Sequence, residues 1–283
     1  MRVLLISFLT VFFLAFALLG IRFWGLSMPY QKFDHEFLKT PPLSAVRVLT
    51  ADEARPLIQR QPNIILWLDI HQSRDRQLVV IPTGQLEKAL TPQTLGDKWR
   101  GGAILHRYDL SEVRPLIPQA PLLQDMLKAF PDQRVILNVA ANVEGVDLLL
   151  TEAVKDFSPQ KRLLIQSDTD VILRSLKDLH PMWLYGTSWA DITKLLSFDS
   201  IGLGPAIEFK GDVFIVPPRI NGRPAYTDSI VTEMHRRLKS VFIGPLQNAD
   251  DFAKAREAKA DGLIFATPEL WREIEGVPAS PAR

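Results

Sequence analysis

Two hydrophobic patterns divide the chain. Residues 3–21 are apolar apart from Ser7, Thr10 and Gly20, and Arg2 and Arg22 bracket the run. About 19 residues at a 1.5 Å rise reach roughly 29 Å, one hydrocarbon thickness, so the run predicts a membrane-spanning helix. Phe23 and Trp24 follow Arg22, where aromatic side chains meet an interface. From about residue 45 the pattern becomes a repeat, a short apolar run followed by a stretch of helical periodicity. The runs lie at 46–50, 64–70, 78–81, 135–139, 163–166, 183–186, 213–216, 241–243 and 263–265. Amphipathic stretches at 51–61, 122–130, 146–157, 170–179, 190–198, 229–239 and 250–259 separate most of them. Residues 64–70 are nearly continuously apolar, as for a strand buried on both faces, and 78–81 follows a polar turn, which predicts a hairpin. Alternation of this kind implies parallel strands covered by helices. About eight units in roughly 240 residues fit a TIM-type (β/α)8 barrel better than an open doubly wound sheet.

The pattern therefore divides the chain into a membrane anchor or signal sequence at 1–25, a linker at 26–44, a barrel at 45–277 and a tail at 278–283. Pro29, Pro41 and Pro42 block regular structure in the linker. A retained anchor is the favoured reading of 3–21; a cleaved signal with a small-residue site near Ala15 and Ala17 is the alternative. Arg2 and Arg22 nearly cancel as topology signals, and the expectation is an exported, periplasm-like barrel.

Composition narrows the function classes. At 47% hydrophobic over 283 residues the chain builds its own core and is not disordered. Its 33 basic and 32 acidic residues leave a net charge of +1, no basis for a nucleic-acid partner. The absence of cysteine excludes disulfides, cysteine-ligated zinc, a thiol nucleophile and lipoprotein processing. No Gly-x-Gly-x-x-Gly follows a strand and no Walker loop occurs, so nucleotide binding loses its main support. Arg100-Gly101-Gly102 reads as a turn.

The order of short motifs is informative. Ile65-Leu66-Trp67-Leu68-Asp69-Ile70, a polar turn and Leu78-Val79-Val80-Ile81 resemble the glycerophosphodiester phosphodiesterase pattern Ile-Glu-Leu-Asp-Val, Lys-Asp-Gly and Val-Val-Phe-His-Asp. Downstream, Asp109-Leu110-Ser111-Glu112 with Ala120-Pro121-Leu122-Leu123 resembles the approach to the Pro-Thr-Leu-x-Glu helix. Leu137-Asn138-Val139 resembles Leu-Asn-Ile-Glu-x-Lys, and Gln166-Ser167-Asp168 with Leu173 and Pro181 resembles Ser-Phe-Asp and its helix. Asp261-Gly262-Leu263-Ile264 and Pro268-Glu269-Leu270 resemble the closing Asp-Gly-Ile-Ile-Thr-Asp-x-Pro-Asp-Leu. The pieces cover most of residues 45–275 in the right order.

What the resemblance implies is a metal-assisted hydrolase whose histidines, in His-Arg-Gly and His-Asp, do acid–base work while Glu-x-Asp and a later strand Glu hold Ca²⁺ or Mg²⁺. Here Trp67 stands for the first Glu and Pro82-Thr83 for His-Asp. Ala140 stands for the strand Glu, Asn142 for the nearby Lys, Gly244-Pro245 for Trp-Thr and Phe265-Ala266 for Thr-Asp. No His-Arg-Gly is found near the first strand, and Asp69 alone remains. The resemblance thus implies a membrane-anchored, catalytically degenerate barrel that takes a phosphodiester or lipid-related ligand or an unidentified protein partner. No cofactor is expected. The alternative is an active phosphoric diester hydrolase of lipid metabolism, with a rearranged Mg²⁺ or Ca²⁺ site built on Asp69.

The residues singled out as candidates are few. Asp69 and His71 lie two apart on one side of an extended chain and form the catalytic candidate pair. Ser167, Asn142, Arg219 and Arg223 are ligand-binding candidates around the mouth, Ser167 as a hydrogen-bond donor to phosphate and the arginines as a basic loop. His35 lies in the linker, and His106 with Arg107 reads as a solvated loop. His180, and the group His235, Arg236, Arg237 and Lys239, read as cations at helix C-termini.

Overall fold

Hydrogen bonding gathers the apolar runs into one barrel. In the computed structural model, which describes residues 2–41 and 43–275, the strands are β1 (Leu43–Arg47), β2 (Ile65–Gln72), β3 (Leu78–Val80), β4 (Val135–Val139), β5 (Leu163–Gln166), β6 (Leu184–Tyr185), β7 (Val213–Val216), β8 (Arg219–Ile220), β9 (Arg223–Pro224), β10 (Ser240–Leu246) and β11 (Gly262–Phe265). The barrel order is β6-β5-β4-β2-β1-β11-β10-β7, and every pair along it is parallel. The anticipated hairpin is present: β3 runs antiparallel to the end of β2, with Ile70 opposite Val80. Pro42 and the expected tail at 278–283 lie outside the described residues.

The ladder stops at β6 and β7, and the side chains of Thr187 and Asp212 help close the seam, Tyr185 N donating to Asp212 Oδ2 at 3.1 Å. Thr187 Oγ1 donates to Val213 O at 3.0 Å and accepts from Ile215 N at 2.8 Å. Beside it the Asp212 N–H reaches Tyr185 O at 2.8 Å. A hydroxyl that both donates and accepts stands in for the missing ladder, which is why β6 is so short. The result is a TIM-type barrel.

Period-two alternation assigns each strand's faces. Ala45, Ile65, Trp67, Ile136, Leu164, Leu184, Val213, Ile215, Phe242 and Ile264 pack inside the barrel. Their neighbours Val46, Leu66, Leu68, Leu137, Ile165, Phe214 and Ile243 pack outward under the helices. Both faces are covered, so the strands carry the unbroken apolar runs seen in the sequence. One boundary moves. The first strand was anticipated at 46–50 and lies at Leu43–Arg47, because Thr50 caps the helix Ala51–Arg60, accepting from Glu53 N at 3.3 Å. A residue with a capping side chain cannot also extend a strand, so the chain leaves the sheet early.

Two additions flank the barrel. Between β3 and β4 the chain makes short helices around a separate small core that includes Val79, Leu86, Leu95, Tyr108 and Val113. At the other end, the proline-rich segment before β1 is more than a tether. Its 3-10 turn Glu36–Leu38 inserts the fully buried Phe37 into the barrel interior, and Arg134 Nη1 donates to Phe37 O at 2.7 Å. Burial pushes the Arg134 guanidinium down to about 10. Before this plug comes one long helix, Arg2–Ser27; its segment Ile6–Ser27 is long and apolar enough to cross a membrane.

Candidate functional site

In a parallel barrel the site lies where strands end, and alternation decides which side chains point inward there. Arg47 closes β1 and is paired in register with Trp67. Asp69 on β2 faces Asn138 on β4, and Asn138 faces Gln166 on β5. Arg47, Trp67, Asn138, Gln166, Asp168 and Trp189 line a cavity of about 390 Å³, closed on its far side by Ile215, Pro217, Arg219 and Gly244-Pro245. Its size suits a small molecule.

Asp69 does not line this cavity; it is 2% exposed and contacts the lining residues Arg47, Trp67 and Asn138. Its Oδ1 accepts from the Trp67 indole N–H at 2.8 Å and from Asn138 Nδ2 at 2.7 Å. Its Oδ2 stands 2.9 Å from Arg47 Nε, an ion pair without the alignment of a hydrogen bond. One carboxylate oxygen is therefore held by two hydrogen bonds and the other faces a cation of this chain. A hard dication requires several oxygen ligands. The described residues contain no cluster of three His, Asp, Glu or Cys side chains placed to hold one. The donor set does not fit Ca²⁺ or Mg²⁺: the Arg47 guanidinium stands where a cation would meet Asp69 Oδ2.

The other candidates separate. His71 is buried two residues beyond Asp69, with Nε2 3.3 Å from Thr83 Oγ1, and no hydrogen bond joins it to Asp69 among the described residues. Burial lowers its pKa, against the raising effect of the Asp69 charge, so the ring is neutral at pH 7. Ser167 is fully buried; its Oγ donates to Val139 O at 2.8 Å and accepts from Thr169 N at 3.2 Å, bracing the ends of β4 and β5. Asn142 is exposed in the loop after β4 and does not line the cavity. Arg219 lines the cavity and pairs with Asp250 at 2.9 Å and Asp251 at 3.4 Å; Arg223 is exposed on the β8–β9 hairpin beyond it. Asp168 lines the cavity too. Burial, then the Asp69 charge, raises its pKa.

Arg47 and Trp189 were not anticipated. A signal for Arg47 was present: a charged residue interrupts the apolar stretch Val46-Arg47-Val48. Trp189 gave none, because it begins a helix and reads as part of its periodicity.

No sequence-family profile matches this chain, and no curated protein sequence does. Solved structures do match. A Silicibacter pomeroyi protein assigned provisionally as a glycerophosphoryl diester phosphodiesterase superposes with a TM-score of 0.63 at 14% identity, covering 86% of this chain and 97% of that one. The Thermotoga maritima glycerophosphodiester phosphodiesterase gives 0.56 at 15% identity, with 83% and 99% covered. An Oleispira antarctica phosphodiesterase, solved with its product sn-glycerol-3-phosphate, gives 0.55 at 14%, with 83% and 97% covered. The chain has the barrel fold of the glycerophosphodiester phosphodiesterases.

Proposed function

We propose that this phosphodiesterase-like barrel is anchored to a membrane by its N-terminal helix, is silent in metal-assisted diester hydrolysis, and binds a small phosphodiester at its mouth. One observation carries the reading: the Arg47 guanidinium stands against Asp69 while Trp67 and Asn138 hold the other carboxylate oxygen. A resident cation that cannot exchange removes the Lewis acid from the mechanism and leaves a recognition group behind. Arg47 Nε stands 2.9 Å from Asp69 Oδ2 without an aligned hydrogen bond, and among the described residues the other N–H groups of Arg47 have no hydrogen-bond partner. They border the cavity beside the Trp67 ring, whose centre is 6.0 Å from the guanidinium carbon. The second cation, Arg219, is already balanced by Asp250 and Asp251. One arginine with unused donors suits a ligand with one negative charge, as a phosphodiester has, better than a doubly charged monoester.

The test is calorimetry on the full chain in detergent with a glycerophosphodiester and, separately, inorganic phosphate. Diester binding is expected to be indifferent to EDTA and about tenfold weaker in Arg47→Gln, the worth of one charge-assisted hydrogen bond. Turnover that EDTA removes and Asp69→Asn abolishes would overturn the proposal.

A further inference from the structure

The long N-terminal helix is joined to the barrel at its floor, the end where strands begin. The Arg22 guanidinium donates to Gly202 O, and Arg236 donates to Gly25 O at 3.2 Å and Leu26 O at 3.1 Å. Gly25 is buried, and a Cβ there would meet the Pro205 and Ala206 backbone at 2.5 Å, so only glycine allows this approach. Tyr30 then lies under Arg236 and Arg237, 5.0 and 5.5 Å from its ring. Arg237, 2% exposed, ties the same loop by donating to Gly204 O, Pro205 O, Ile207 O and Glu233. The helix end is part of the folded barrel. The rest of the helix leaves it: none of its most apolar window is buried.

Exposed apolar side chains occur at both ends of the barrel, at the mouth-side helix starts Leu148, Val171 and Trp189 and on the floor. Leu179 and Met182 precede β6, Ile201 precedes β7 and Leu238 precedes β10, each 47% exposed or more. All four connections enter strands and so lie on the floor. Leu238 has a φ of +58° at the stop of the helix Asp228–Arg236, a position where glycine is favoured. A leucine kept in a left-handed conformation and facing solvent is doubly unfavourable unless something apolar covers it.

We propose that the floor rests on the bilayer that holds the helix, with Ile201 and Leu238 in its interface and the mouth pointing away. The occupant is lipid because the patch is continuous with a bilayer-length helix hydrogen-bonded to the same loops, with Trp24, Arg22 and Arg236 at the junction as interfacial side chains. This rests on the anchor reading above and adds a consequence: the mouth meets water, so its ligand is a soluble phosphodiester and not a lipid of the same leaflet.

The chain has no cysteine, so single-cysteine variants carry one label each. Full-length Phe12→Cys, Ile201→Cys, Leu238→Cys and Arg223→Cys, labelled with an environment-sensitive fluorophore, are reconstituted into phosphatidylcholine–phosphatidylglycerol vesicles containing nitroxide lipid. Labels at 201 and 238, seated about 5–10 Å into the headgroup boundary, are expected to lose at least about half as much fluorescence as the label at 12, and the label at 223 almost none. Adding Gly25→Val, which forces the junction apart, should keep the loss at 12 and bring 201 down to the level of 223. Loss at 12 without loss at 201 and 238 overturns the pose and leaves the anchor standing. No loss at 12 removes the anchor itself. Equal loss at 201 and 223 overturns the fixed orientation, and a floor label that is blue-shifted in the vesicles yet not quenched by the nitroxide lipid overturns lipid as the occupant in favour of a second copy or a protein partner.

Discussion

The two ends of the barrel hold the same chemical pair, an arginine against a buried carboxylate, under different constraints. At the floor, Arg237 donates to Glu233 and to three backbone carbonyls, and Arg236 shares Glu233. Burial pushes the Glu233 pKa up, but its bonds to Arg236 and Arg237 outweigh this and leave it lowered. Every strong donor there has a protein acceptor, so the cluster works as a joint. At the mouth, Arg47 touches Asp69 through an unaligned contact, borders a cavity and is 26% exposed on its side chain. A saturated guanidinium holds a structure together, whereas an unsaturated one beside a cavity is available to a ligand.

The comparison breaks most sharply under alanine. Arg237→Ala leaves Glu233 and the Gly204, Pro205 and Ile207 carbonyls short of partners in a dry site. The expected loss is about 3–5 kcal/mol, read by chemical denaturation of the full chain in detergent. Arg47→Gln should lower stability much less, with its main effect on ligand affinity. Equal stability losses at the two ends would show that the mouth pair is also a joint.

A smaller effect is expected at the seam. Thr187→Val keeps the shape but removes the hydroxyl that serves both Val213 O and Ile215 N. Two buried backbone groups lose their partner, at about 1–3 kcal/mol each before any relaxation. Hydrogen exchange should then quicken at Ile215 while β2 and β4 stay protected. Uniform quickening around the barrel would mean that the ladder does not need Thr187 to close.

Metal response sharpens the comparison further. Millimolar Ca²⁺ or Mg²⁺ should barely move the melting temperature of the unaltered chain, because Arg47 already faces Asp69. On the resemblance, Trp67→Glu with Ala140→Glu adds two carboxylates near Asp69. Their repulsion should lower stability without a cation and restore it with one. A shift of several degrees in the unaltered chain, lost in Asp69→Asn, would return a metal site to the mouth.

The barrel was legible because strands buried on both faces must be apolar and their helices amphipathic, and both periods survive in a single sequence. The short β6 is another matter: its closure depends on Thr187, and a lone threonine carries no period. The site was half legible. Asp69 stood out as a carboxylate inside an apolar run, and the resemblance flagged Trp67 at the position of a lost ligand. Arg47 is not legible as a site residue because the apolar run 46–50 puts it near a strand's start, whereas it closes β1 at Leu43–Arg47. Ser167 looked like a phosphate donor from its position, yet its direction depends on the Val139 carbonyl, a partner 28 residues away. Prolines keep regular structure out of residues 26–44, but they do not forbid burial, as the fully buried Phe37 shows.

The smallest expected effect is the response to mild acid. His71 near the mouth and His35 near the floor both have lowered pKa values, in each case first through burial. The Asp69 charge opposes the shift at His71; Asp212, Glu36 and Asp34 oppose it at His35, and Lys39 adds to it. A folded-state pKa below the unfolded value of 6.5 means the unfolded chain takes the proton first. Each histidine's contribution is thus complete above pH 6.5 and is lost as the pH falls through the lowered folded value. Asp168 and Asp191 act the other way. Burial raises both, so their carboxylates regain stability as they protonate on acidification, and they blunt the decline at its lower end. Denaturation midpoints measured from pH 7.5 to 5.5 should therefore fall gently. His71→Gln should remove the mouth's share of that slope and His35→Gln the floor's, since Phe37 N donates to His35 Nδ1 and glutamine can accept in its place. If the slope is unchanged in both variants, neither histidine is held neutral by the fold. If only His35→Gln flattens it, His71 is not held neutral by burial at the mouth.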